Sequence, residues 1–181
     1  ETAPLQAPDD SPIQTLIRGI RDTGVSSAVV APRLYLENLL LPVIADPART
    51  EGVLRYPLPT GFPVSWSSHL DVADTVVALL TTKDITGTVA IGQLPGLTGS
   101  DLADGFAASL GRPVTFESIT PDAFGELITP LFGPAAAPVV GLYHALNTQS
   151  GNTISSANSA QNLLGLAPRS VEQWLGEMAG K

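Results

Sequence analysis

The sequence predicts an α/β fold built on a parallel sheet, and three observations support this. Residues 26–40, SSAVVAPRLYLENLL, pass from a β-branched run through Pro32 and Arg33 into an apolar segment bearing Glu37 and Asn38. That is the pattern of a buried strand feeding a helix. Further short apolar runs bounded by Gly and Pro alternate with segments of helical period, as βα units do. The chain has 181 residues, 44% hydrophobic and 14% charged, enough for one domain with a sizeable core. In open parallel sheets ligands gather outside the carboxyl ends of the strands, so residues 32–38 are where a site is expected.

The elements follow in order. Ser11, Pro12 and Gln14 form a helix start, with Ser11 as N-cap and Pro12 at the first helical position. Ile13, Leu16, Ile17 and Ile20 make one apolar stripe, expected to pack on a sheet face before Gly24 ends the helix. The unbroken Ala and Val character of residues 26–31 predicts a strand buried on both faces. Residues 34–44 read as a helix kinked at Pro42. Residues 53–58 and 64–67 read as short strands around a Pro and Gly turn. Asp71 reads as the cap of a helix whose Val72, Val76, Leu79 and Leu80 share a face.

A strand over 88–91 leads to a helix from Ser100 to Leu110, stopped by Gly111. Thr98 and Asp101 form its cap, and Thr120 with Pro121 opens another helix. Residues 133–159 are poor in charge; an apolar helix near 139–146 and then a mobile loop over the site are expected. Ser170 and Gln173 form a last capping box before Trp174.

Several functions are disfavoured. The net charge of −8, with nine scattered Lys and Arg, does not suit a phosphate backbone. Cysteine is absent, which removes disulfides and thiolate sites. No apolar run uninterrupted by Asp, Arg, Gly or Pro reaches the roughly 18 residues of a membrane span. His69 and His144 are far apart with no second ligand at helical spacing, so no metal site is expected. Ser67, Ser68, His69 and Asp71 hold the residue types of a hydrolase triad, but adjacent residues on an extended chain point to opposite faces. Gly92, Gly96 and Gly99 could suggest a phosphate loop; their spacing, and Pro95 without an N–H, favour a plain turn. His69 remains a candidate facing the ligand crevice.

Residues 32–38, PRLYLEN, resemble the "RP, aromatic, EN" segment of the NmrA-like family, atypical short-chain dehydrogenase/reductase relatives that bind NAD(P) on a Rossmann domain. Residues 52–80 are similar to that family's next strand pair and "DvA" helix, and residues 87–114 to its strand, helix and "lGrpv" unit. ITPDAF at 119–124 and NLLGLAPRSVEQWL at 162–175 continue the match, which extends from Ser11 over nearly the whole chain.

The resemblance implies the C-terminal part of a Rossmann-type parallel sheet over residues 11–92 and a smaller, mostly helical substrate-side subdomain over 93–181. Residues 1–10, ETAPLQAPDD, would be a flexible start. No G-x-G-x-x-G turn for a pyrophosphate occurs near the start. The expectation is therefore a C-terminal portion whose dinucleotide loop lies in a separate N-terminal half, its partner, with a cytoplasmic location.

Carried over by position, Pro32, Arg33 and Tyr35 would lie beside the nicotinamide end of NAD or NADP. Asn38 would lie in or under the substrate pocket, with His69 at its edge. The chain departs from the family's pattern in lacking a Tyr-x-x-x-Lys pair, with Ile13 near the usual Lys and Ala31 before Pro32. Two functions fit: an NAD(P)-dependent oxidoreductase acting on a small, fairly apolar substrate, or a non-catalytic NAD(P)-sensing regulatory protein.

Overall fold

A computed structural model describes residues 10–82 and 85–179. The chain runs α1 (Pro12–Asp22), β1 (Ala28–Pro32), α2 (Pro42–Thr50), β2 (Val53–Tyr56), α3 (His69–Thr81) and β3 (Gly87–Ile91). It continues through α4 (Gly99–Leu110), β4 (Thr115–Ser118), α5 (Pro121–Phe132), α6 (Ala136–Asn147), α7 (Ala160–Leu164) and α8 (Val171–Ala179). Most of the expected flexible start, together with Lys83 and Lys181, falls outside the described residues.

The strands form two parallel pairs. β1 lies beside β3, from Ala28 opposite Gly87 to Pro32 opposite Ile91. β2 lies beside β4, from Val53 opposite Thr115 to Tyr56 opposite Ser118. The larger core gathers Leu36, Leu39, Tyr56, Trp66, Ile128 and Trp174; the smaller gathers Val89, Ile91 and Ala160 under Val30, Val72 and Leu79. The larger core joins residues from 34–66 with residues from 97–178, and the smaller joins β3 with α7.

The N-terminal stripe exists as a helix but covers nothing. α1 has no buried residue, and Ile13 and Leu16 are 51% and 58% exposed. β1, expected to be buried on both faces, is only half-buried along its length, and β3 is its sole strand partner among the described residues. Its second edge is open.

Other expectations are corrected in detail. Residues 34–44 are not one kinked helix: a 3-10 turn over Leu36–Leu40 precedes α2, and Pro42 opens α2 at its first turn, where no N–H is needed. Residues 64–67 make only isolated bridges, Val64 with Leu97 and Asn152, and Tyr35 with Ser67. The cap of α3 is Ser68; Asp71 is the acidic third position of its capping box.

The expected mobile loop is stitched down instead. Asn152 N–H donates to Pro63 O at 2.8 Å, Ser65 N–H to Asn152 O at 3.1 Å and Ile154 N–H to Ser65 Oγ at 3.0 Å. Gly92, Gly96 and Gly99 serve close packing against Ser65, Thr153 and Phe116, where a Cβ would collide; they do not form a phosphate cradle. The capping boxes of α4 and of α8, with Gly111 left-handed at φ 65°, are as the sequence predicts.

By length and composition Pro121–Asn147 is apolar enough to cross a membrane, with a mean hydropathy of 1.3. It is not one rod. α5 and α6 fold back on each other, with Gly125 against Val140 and the rings of Phe124 and Tyr143 5.4 Å apart.

Tyr143 and Tyr56 share a hydroxyl hydrogen bond in the core. Burial pushes Tyr143 up to about 12 and Tyr56 well above the ordinary phenol value. Both folded-state values lie above the unfolded value of about 10, so their contribution to stability is complete below about pH 10 and is lost as pH rises through about 12. An ultraviolet phenolate titration is expected to show two of the three tyrosines ionising only as the protein unfolds in alkali. Normal ionisation of all three without unfolding would contradict the buried pair.

Candidate functional site

The carboxyl ends of β1 and β3, the 3-10 turn after β1 and the N-terminus of α3 meet in one region. Pro32 pairs with Ile91 at the strand ends. Tyr35 follows on an extended bridge to residue 67, where Leu36 N–H donates to Ser67 O at 2.9 Å and Ser67 N–H to Leu34 O at 3.1 Å. The Tyr35 ring lies 4.5 Å from the His69 ring, tilted by 57°. His69 is exposed at the first position of α3, and Tyr35 is half-buried. Together they present an aromatic wall.

Arg33 is partly buried. Its Nη2 donates to Thr153 O at 3.2 Å, while its Nε is buried without a partner. Burial lowers the pKa of its guanidinium.

The Asn38 side chain hydrogen-bonds the buried Tyr56 hydroxyl and so lies beneath the region, beside the Tyr56 and Tyr143 cluster. Its neighbour Glu37, named in the sequence but given no role there, ties the region together. Glu37 Oε1 accepts from His69 N–H at 3.0 Å and from Trp174 Nε1 at 3.1 Å, and Oε2 is buried without a partner. A glutamate inside an apolar turn was the available signal; Trp174, far along the chain, was not locally foreseeable.

Two carboxylates already occupy the start of α3: Glu37 on His69 N–H and Asp71 Oδ2 on Ser68 N–H at 2.8 Å. A third anion would meet repulsion there. Asp71 is buried and is held in turn by Arg169, through Nη1 at 2.9 Å and N–H at 3.1 Å. Arg169 also reaches Asp74 and Glu177, which anchors α8 to the start of α3.

Two clefts lie along β1, away from the strand ends. One of about 400 Å³ is lined by Ile17, Ile20, Val25 and Val29, and one of about 380 Å³ by Val30, Val76, Leu79 and Leu80. Among the described residues no group of three His, Asp or Glu is placed to hold a metal ion.

No protein-family model matches the chain. A (4-alkanoyl-5-oxo-2,5-dihydrofuran-3-yl)methyl phosphate reductase from Streptomyces griseus is 29% identical over 163 residues, 90% of this chain and 56% of that protein. An NAD(P)H azoreductase from Xenophilus azovorans is 28% identical over 138 residues, 69% of this chain and 45% of that protein. A phosphoenolpyruvate guanylyltransferase from Mycobacterium sp. (strain KMS) is 30% identical over 145 residues, 75% of this chain and 63% of that protein. The chain thus spans about half the length of the two reductases.

Among solved structures, a nucleoside-diphosphate-sugar epimerase from Staphylococcus aureus superposes with TM-score 0.69 at 18% identity, over 90% of this chain and 56% of that one. A triphenylmethane reductase from Citrobacter sp., solved with NADP(H), gives TM-score 0.70 at 16% identity, over 90% and 57%. At such identities the shared property is the fold. The match covers somewhat more than half of each of those two solved chains.

Proposed function

We propose that this chain is the substrate-side portion of an NAD(P)-dependent oxidoreductase acting on a small, fairly apolar substrate, completed by a dinucleotide-binding half that pairs with β1. The open edge of β1 carries the reading. Val29 and Val30 face two clefts, and Leu16, Val77 and Leu80, which are 58%, 61% and 75% exposed, extend the uncovered apolar surface around them. An unpaired parallel strand with bare faces on both sides needs covering. The names of two relatives, a reductase and an NAD(P)H azoreductase, support redox chemistry with a nicotinamide.

The residues at the strand ends fit the nicotinamide side of such a cofactor, because the Tyr35 and His69 rings offer a flat wall. When bound, the nicotinamide supplies or takes the hydride. This chain supplies orientation: Pro32 ends the strand, Tyr35 and His69 hold a planar ring, and Glu37 fixes the start of α3 beneath them. Tyr56 and Tyr143 are held protonated in the core and do not serve as proton donors.

A second reading has its own observation. No Tyr in the sequence has a Lys four positions later, which favours a protein that senses the dinucleotide without turnover.

Titrating the natural full-length protein with NADPH and NADH tests the proposal. Saturable binding is expected, weakened about tenfold by Tyr35→Ala, the worth of one aromatic stacking contact of about 1.4 kcal/mol. Binding with oxidation of NADPH by a quinone supports the oxidoreductase, and binding without turnover of any acceptor supports the sensor. Failure of both dinucleotides to bind removes both readings.

A further inference from the structure

We propose that Arg33 anchors an anionic group of the substrate, a carboxylate or a phosphate monoester, beside the aromatic wall of Tyr35 and His69. The inference rests on the site proposed above and adds the substrate's charge. A guanidinium carries five N–H donors in a fixed fork. Arg33 engages a neutral carbonyl, Thr153 O, and its Nε is enclosed without any acceptor.

Arg112 also donates to backbone carbonyls, those of Ala48 and Arg49, but only Arg33 among the arginines described has a buried nitrogen without a partner, and others meet carboxylates. Arg55 meets Glu51 and Glu117, each at 2.9 Å, and Arg169 meets Asp71, Asp74 and Glu177. Among the described residues no ion pair includes Arg33. Carboxylates are not scarce, since Asp and Glu number 17 against 9 Lys and Arg. A partly buried cation without a counter-charge is costly. Burial acts on it with no neighbouring carboxylate to oppose the shift.

The side chain is also held ready. Its acceptor Thr153 sits on the segment fixed by Asn152 to Pro63 and by Ile154 to Ser65, so little ordering remains for a ligand to impose. Bidentate capture of a carboxylate or phosphate is what such a fork does well. Tyr35 is two residues further on. A substrate with its anionic arm on Arg33 and its apolar body beside the ring that the wall holds therefore matches the two features.

The cofactor's own phosphates are a poor match. In a dinucleotide fold they sit on a glycine-rich turn and a helix N-terminus, and neither is available here: the three glycines are packed and the start of α3 is filled by Glu37 and Asp71.

The Arg33 Nε–H resonance in ¹H–¹⁵N spectra of the full-length protein reads the site directly, with phenyl phosphate as probe and phenol as its uncharged control. Phenyl phosphate is expected to shift that resonance saturably and to bind at least about tenfold tighter than phenol. Arg33→Met should erase the difference while leaving the thermal midpoint unchanged or raised, because it removes an unpaired cation and keeps the apolar stem. Saturating NADPH should leave phenyl phosphate bound. Phenyl phosphate binding in a protein that takes no dinucleotide would support the anion site while the cofactor reading fell. Equal binding of phenol, undiminished binding by Arg33→Met, or competitive displacement by NADPH would each overturn the inference, the last by assigning Arg33 to a cofactor phosphate.

Discussion

Replacing Asp71 by Ala is expected to lower the unfolding free energy by about 3 kcal/mol, near the lower end of the range for breaking a buried charge pair. Asp71 is only 5% exposed. Its carboxylate accepts Ser68 N–H at 2.8 Å, Arg169 N–H at 3.1 Å and Arg169 Nη1 at 2.9 Å. Truncation orphans two backbone donors at once and removes half of the capping box, each a recognised source of loss. Arg169 keeps Asp74 at 2.8 Å and Glu177 at 3.0 Å, which is why the higher end is not expected. Asp71→Asn keeps an acceptor for Ser68 and should cost roughly half as much. The midpoints of urea unfolding at unchanged slope measure both. A loss for Asp71→Ala below about 1 kcal/mol would show that the network behaves like exposed surface pairs.

Gly92→Ala is expected to cost about 3 kcal/mol or more, adding backbone strain to overpacking. Gly92 has φ 149°, a region that side-chain-bearing residues rarely adopt, and its added Cβ would fall on the Ser65 carbonyl. Neither side yields easily. Ser65 N–H is bonded to Asn152 O, and Gly92 O accepts from Gln161 Nε2 at 2.7 Å. Gly111→Ala is the internal comparison. Its φ is 65° and nothing lies within 4 Å of the new Cβ, so only the left-handed backbone penalty of about 1 kcal/mol applies. Paired thermal or urea unfolding of the two variants decides the matter. Equal losses would mean that the close approach to Ser65 contributes nothing.

The legible parts of the fold were those whose causes sit within one turn of chain. Thr98 with Asp101 and Ser170 with Gln173 appeared as capping boxes, and Gly111 as a stop, because each depends on residues three or fewer positions away. Asp71 was recognised as belonging to a helix start, but Ser68, one residue before the helix, proved to be the cap. Pro42 was legible as a disturbance yet not as a beginning, since a proline that kinks a helix and one that opens it look alike until the preceding turn is known.

The site was legible only in outline. The carboxyl end of β1 was predicted to lie at a crevice, and Tyr35 and His69 do meet there. Asn38 was placed in or under a pocket, and its bond to the buried Tyr56 hydroxyl could not be read from spacing. Glu37 was named without a role because its partners, His69 and Trp174, lie 32 and 137 residues further along the chain.

By itself the sequence determined the α/β class with parallel strands, the starts and stops of most helices, and a resemblance whose fold the solved structures share. All of these rest on local periodicity, capping chemistry and the order of motifs. Tertiary structure alone decided that residues 152–154 are strapped to 63–65 and that, among the described residues, α1 lies bare, β1 keeps an open edge and Arg33 meets no carboxylate. Whether a face is covered or a charge is paired depends on which distant segments arrive beside it. No spacing within a single stretch of chain records that.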